Sequence, residues 1–253
     1  MASIEVPELA APGTVLVTGG SGGIGRAVAA RLAKMGSRVA VGYNTRAEVA
    51  AGIVAGLQGD GHCAIRVAID DPASIGQARH ELEQRFGSLD GLVNSGGATT
   101  PVPAGDLEGL TDEIFDRALL LNLRGPFAVI RAMRPLLERG QNASIVNVSS
   151  IAARTGVGSS LAYLAAKGGL DSLTIALAKV LAPGIRVFSV SPAGVDTDFV
   201  PNRTREQLER TAEKFPLRRV TTPDDVARAV VACMVNLTSS TGIVVPVDEG
   251  RHL

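Results

Sequence analysis

Thr14-Val15-Leu16-Val17-Thr18-Gly19-Gly20-Ser21-Gly22-Gly23-Ile24-Gly25-Arg26 decides the fold. Its first five residues are a short apolar, β-rich run. From Ile24 to Met35 an alanine-rich segment has helical, amphipathic spacing. Glycines at a strand-to-helix junction permit a tight turn and let backbone N–H groups approach a pyrophosphate, and the helix N-terminus adds favourable partial charge. A connector chosen for backbone geometry alone would use the same residues. The spacing differs from GxGxxG, and no Lys-Ser/Thr pair follows as in a Walker loop. The junction indicates a nucleotide, without naming one.

Working outward, the same strand–helix rhythm recurs along the chain. Strands are expected at Thr14–Thr18, Arg38–Gly42, Ala64–Ile69, Gly91–Asn94, Ser144–Ser149, Ile185–Ser191 and Gly242–Val247. Helical spacing marks Ile24–Met35, Pro72–Phe86, Thr111–Arg139 and Tyr163–Leu181. Several strands are apolar on both faces, as buried parallel strands are. The alternation predicts an α/β fold: one Rossmann-type, doubly wound parallel sheet of about seven strands with helices on both faces. With no linker or repeat in view, a single domain is expected over 1–253, with a flexible start at 1–12.

Composition narrows the partners. Lys plus Arg and Asp plus Glu balance at 25 each, without a basic run, so a nucleic acid is not expected. Apolar residues make up 45% of the chain, enough for a sizeable core, yet no run reaches transmembrane length. Met1–Pro12 lacks the basic and apolar regions of a secretory leader. Cys63 and Cys233 are far apart, without redox or metal spacing. A soluble cytoplasmic protein with no membrane partner is expected.

The second strand carries a choice of cofactor. NAD-selective sites place an acidic side chain near its end, about 20 residues past the glycines, on the ribose hydroxyls. Here Tyr43 stands in that place, followed by Asn44, Thr45 and Arg46. Neutral donors and a guanidinium suit a 2′-phosphate and favour NADP(H) over NAD(H). Arg46 as a plain exposed residue opening the next helix is the other reading.

Ser150 stands after the fifth strand, and Tyr163 and Lys167 lie four apart on the helix that follows. That spacing puts phenol and ammonium on one helical face. A phenol with pKa near 10 is a poor acid–base catalyst at neutral pH, and a neighbouring ammonium would lower it. Ser150 could then hydrogen-bond a carbonyl oxygen. A Tyr-x-x-x-Lys pair also occurs by chance on helix surfaces. Joined to the glycine loop, these residues indicate hydride transfer between NADP(H) and a carbonyl/alcohol pair.

At this point the chain resembles the short-chain dehydrogenase/reductase superfamily, in the branch of about 250 residues that includes 3-oxoacyl-acyl-carrier-protein reductases. The likeness runs from Gly13 to Arg251. It is carried by Thr18–Gly25, Asn94-Ser95-Gly96-Gly97, Asn122 within Leu121–Gly125, the Ser150/Tyr163/Lys167 set, Ser191–Thr197 and Val247-Asp248-Glu249-Gly250. Ser150 rather than Ser149 matches the family's serine, since it precedes Tyr163 by 13 residues.

The resemblance implies roles. Tyr163 is similar to the catalytic acid/base, Lys167 to the residue that binds the nicotinamide ribose, and Ser150 to the one that polarises the substrate oxygen. Asn122 is similar to the residue holding a water behind the lysine. Gly19, Ser21, Gly22 and Ile24 would border the cofactor's phosphates and ribose, Asn94 its adenine-ribose side, and Val195 and Thr197 its carboxamide and pyrophosphate. Ala68 stands where an Asp often contacts adenine, leaving Ile69 to offer backbone contacts. Phe188 and Ala193 replace a frequent Asn and Gly. Relatives pack helices such as Thr111–Arg139 and Ser159–Leu181 into tetramers, so a homo-tetramer, or at least a dimer, is expected.

Other residues invite blander readings. His62, His80 and His252 are expected at the surface without a metal, and Cys63, Cys233, Met133 and Met234 as apolar fillers. The charged run Arg203–Lys214 is expected to be a solvated helix within a flap at about 198–222. The substrate pocket is expected between Ala98–Pro103, Ile151–Gly158 and Asp198–Thr222, with Arg154 a possible anion contact. An oxoacyl thioester, a sugar, a steroid or a small ketone stays open, as does a catalytically silent nucleotide sensor of the same fold.

Overall fold

The structure, a computed structural model, describes residues 11–253. The expected flexible start therefore lies, up to residue 10, outside the described residues. Seven strands form one parallel sheet in the order β3-β2-β1-β4-β5-β6-β7. They are β1 (Thr14–Thr18), β2 (Arg38–Tyr43), β3 (Cys63–Arg66), β4 (Gly91–Asn94), β5 (Ser144–Val148), β6 (Arg186–Pro192) and β7 (Ile243–Val247). The central strands β1, β4 and β5 are buried at every residue, as a sheet covered on both faces requires.

Alternate residues of each central strand face opposite layers. Leu16, Leu92 and Ile145 join the core under α3 (Pro72–Phe86), α5 (Gly125–Leu137) and α7 (Leu161–Leu181). Val15, Val17, Val93 and Val146 join the other core, under α1 (Gly23–Lys34), α2 (Ala47–Ala55) and α9 (Pro223–Val235). Met133 and Met234 sit in these layers, 0% and 4% exposed, as fillers.

Strand order reverses between β1 and β4, where doubly wound sheets bind ligands beyond the carboxyl ends. The loops that follow these two strands touch there. A Cβ at Gly19, whose φ is +62°, would lie 2.7 Å from the backbone of Gly96. Only glycine meets both demands cheaply.

Two expected elements differ. The third strand ends at Arg66, not Ile69, because the Ala68 N–H bonds the Ser74 hydroxyl and leaves the ladder. The expected helix Thr111–Arg139 is α4 (Asp112–Leu119), a π-helical turn (Leu120–Arg124) and α5. Pro126 has no N–H for the Asn122 carbonyl, and the wider turn accommodates that loss. The turn also sets Asn122 against the loop after β4.

Candidate active site

A buried polar relay ties α7 to the sheet. Asn94 donates to Asn147 at 2.9 Å, Asn147 to Thr174 at 2.9 Å, and Thr174 to the Leu170 carbonyl. Asn147 was not among the expected site residues; its signal is a lone amide inside an apolar strand. At the helix start, the Ser160 side chain caps α7 by accepting the Tyr163 N–H. A short helix, α6 (Ala152–Thr155), follows Ser150.

These constraints hold Tyr163 and Lys167 on one buried face, 8% and 5% exposed. Lys167 Nζ donates to the Val148 carbonyl at 2.8 Å and stands 5.7 Å from the Tyr163 ring centre. Ser150 lines the cavity beside the phenol with its Oγ accepting the Ala152 N–H at 3.2 Å, while Ser149 is turned inward and donates to the Lys167 carbonyl. Asn122 is fully buried; its Nδ2 donates to the carbonyls of Ala98 and Ala118, and its Oδ1 has no partner.

The electrostatics correct one expectation. Burial pushes the Tyr163 phenol up to about 12, with Ser150 and the Arg203 guanidinium pulling it back. Burial likewise pushes the Lys167 ammonium down to about 8, against Asp171. Desolvation, not the neighbouring ammonium, dominates the phenol.

Tyr163, Ser150 and Lys167 open on a cavity of about 390 Å³ at the carboxyl end of the sheet. Ile24, Gly96 and Thr197 also line it, and Phe199 packs on Tyr163 with ring centres 5.8 Å apart.

The enoyl-(acyl carrier protein) reductase family model matches residues 19–252. The chain belongs to the short-chain dehydrogenase/reductase superfamily. It is 37% identical over 251 residues, 98% of each chain, to a Streptomyces violaceoruber protein named ketoacyl reductase 2 of the granaticin polyketide synthase. It is 33% identical to a 3-oxoacyl-acyl-carrier-protein reductase of Staphylococcus aureus, covering 86% of this chain and 88% of the relative. Among solved structures, a short-chain dehydrogenase/reductase from Burkholderia xenovorans matches with TM-score 0.86 and 32% identity, over 94% of this chain and 97% of the other. One from Brucella melitensis matches with TM-score 0.87 and 28% identity, over 94% and 96%. With the superfamily comes its coarse chemistry, oxidoreduction of a carbonyl/alcohol pair with NAD(P)(H).

The residues present in this short-chain dehydrogenase/reductase fit such a dinucleotide. No side chain caps the start of α1, where Gly22 is the N-cap and the first turn has no acid, so its N–H groups can meet a phosphate. Ser21 and Ile24 border this turn, and Thr197 overhangs it, 2.5 Å from where a Gly23 Cβ would stand. Tyr43 ends β2, with Asn44, Thr45 and Arg46 exposed beyond it. Arg46 has no ion-pair partner among the described residues. Val195 is buried and bridges to Thr221, Asn94 is 2% exposed, and Ile69 is buried with its carbonyl toward Gly125.

Several expectations need correction. Among the described residues, Ala98–Pro103 does not line the cavity: Ala98 holds Asn122, Thr99 pairs with Ser159, and the Val102 N–H bonds the Ser159 carbonyl. Arg154 is exposed and outside it. The charged run contains α8 (Arg205–Ala212), yet Leu208 and Ala212 are buried and Arg203 enters the cavity. His62 is half-buried, and its Nδ1 accepts the Val39 N–H. Among the described residues no group of three or more His, Cys, Asp or Glu could hold a metal, and no helix is long and apolar enough to cross a membrane.

Proposed function

We propose that this protein reduces a ketone with NADPH, with Tyr163 giving the proton. The supporting observation is the convergence of Ser150, Tyr163 and Lys167 on one cavity beside an uncapped helix start. A nicotinamide held beside this set would supply the hydride that the carbonyl carbon receives. Ser150 donates a hydrogen bond to the carbonyl oxygen and steadies the charge that develops there. Tyr163 delivers its proton to that same oxygen and takes one back in the reverse direction. Lys167 would hold the ribose hydroxyls, and Asn122 would hold a water behind the lysine. A single domain carries both sites, with 198–222 as a flap over the substrate.

The names of the curated relatives support an oxoacyl ketone as one substrate to try. Free Cys63 and Cys233 accord with a reducing, cytoplasmic setting. Exposed apolar side chains on the outer helices support a homo-tetramer.

Cofactor choice has a direct test. Tyr43 in place of an acid, and Arg46 with no ion-pair partner among the described residues, lead to tighter binding of NADPH than of NADH. Fluorescence titration of both should show this, and Arg46→Ala should weaken NADPH by about tenfold while leaving NADH nearly unchanged. Equal affinities in the wild type would remove the NADP assignment.

A further inference from the structure

The cavity is charged in a way the whole chain is not. Lys plus Arg equals Asp plus Glu over the sequence. Yet Lys167, Arg203 and Arg251 line the cavity and, among the described residues, no Asp or Glu does. Lys167 is engaged with the Val148 carbonyl, and Arg251 lies over the Phe215 ring at 5.4 Å.

Arg203 is different. It stands just before α8, and its Nη2 donates to the Val195 carbonyl at 2.6 Å, which points the guanidinium inward from the flap. Its Nε is buried without a hydrogen-bond partner, and it joins no ion pair among the described residues. Asp196 acts on Arg203 through charge alone, and no acceptor side chain bonds the guanidinium among the described residues. Asp196 is held by Arg205 at 2.6 Å, and the Gln207 amide oxygen accepts the Thr204 N–H at 3.0 Å. Arg203 and Tyr163 line the same cavity, and the guanidinium acts electrostatically on the phenol. A buried cationic donor left unsatisfied is destabilising, and an anionic oxygen pair is the partner a guanidinium matches best.

We propose that Arg203 is a specificity-determining residue that binds an anionic oxygen group of the substrate, either a carboxylate on the ketone or a phosphate on its carrier arm. This deepens the reductase reading and rests on it. If Arg203 served only to prop the loop after β6 through Val195, its loss would affect charged and neutral substrates alike.

The test uses matched probes with NADPH. One pair is 3-oxobutanoate and its methyl ester; the other is acetoacetyl-4′-phosphopantetheine and acetoacetyl-pantetheine. The wild type should favour the anionic member of at least one pair in kcat/KM by about tenfold or more. Arg203→Gln should abolish that preference, lowering the anionic member by about tenfold more than the neutral member on top of any loss the two share, and Arg203→Lys should restore part of it. A preference in the first pair identifies a carboxylate, and in the second a phosphate. Calorimetry of the same four compounds on Tyr163→Phe saturated with NADPH reads the preference without turnover. Equal binding of charged and neutral members, or equal losses in Arg203→Gln, would overturn the proposal and leave the reductase reading standing. Preferential anion binding without reduction of any ketone would instead overturn the reductase reading alone.

Discussion

At Tyr163 and Lys167, burial moves two acids in opposite directions, to about 12 and about 8. The sign of the pH response follows. Reduction needs the protonated phenol, which stays loaded until pH nears 12, so the phenol does not limit reduction at neutral pH. Oxidation needs the phenolate, so its rate should climb between about pH 7 and 10. Above about 8 the lysine loses its charge, so cofactor affinity should fall there in both directions. Lys167→Ala should abolish that step in a pH series of cofactor binding; a step that persists would assign it to another group. Ser150, Tyr163 and Lys167 were legible in sequence because helical period and a fixed interval place them. Arg203 was not, since its approach to Tyr163 depends on a long-range fold-back, and Asn147 was overlooked inside an apolar strand.

Among the elements, β1, the glycine loop and α1 were the most legible, because each local preference agrees with the fold. The expected helix Thr111–Arg139 is broken: its apolar spacing carries through the π turn, and Gly125-Pro126 signals the break. Start signals existed for α9 in Thr222-Pro223-Asp224-Asp225, where Thr222 and Asp225 form a reciprocal capping box. The π turn and the loop after β4 fit each other closely. A Cβ at Gly97 would stand 2.6 Å from Asn122 Oδ1. Gly97→Ala should therefore cost about 1–3 kcal/mol of stability in the wild type. In an Asn122→Ala background the same change should cost less than about 1 kcal/mol, because the clashing atom is gone. Denaturant midpoints of the four proteins decide it; equal costs in both backgrounds would mean that the two residues are not coupled.

Over the whole molecule, the sheet order was legible because right-handed crossovers and doubly buried strands leave few alternatives. Assembly is expected from the alanine and leucine kept along the long helices and from the resemblance, and the outer surface accords with it. Phe115 on α4, Phe127 on α5, and Ile175 and Val180 on α7 are exposed, Val180 by 70%. The edge strand β7 also exposes Ile243. Apolar helix faces and a sheet edge unpaired among the described residues suit two-fold interfaces. Light scattering at micromolar protein should report a tetramer, or at least a dimer; a monomer would refute the assembly.

The central claim concerns one proton. Tyr163→Phe keeps the ring, its packing on Phe199 and the helix that carries it, and removes the hydroxyl alone. NADPH consumption on the best ketone, followed by the loss of nicotinamide near-ultraviolet absorbance, should fall in kcat by about a hundredfold or more, with NADPH affinity within a few-fold of wild type. Near-normal turnover in Tyr163→Phe would place the proton donor elsewhere and contradict the account.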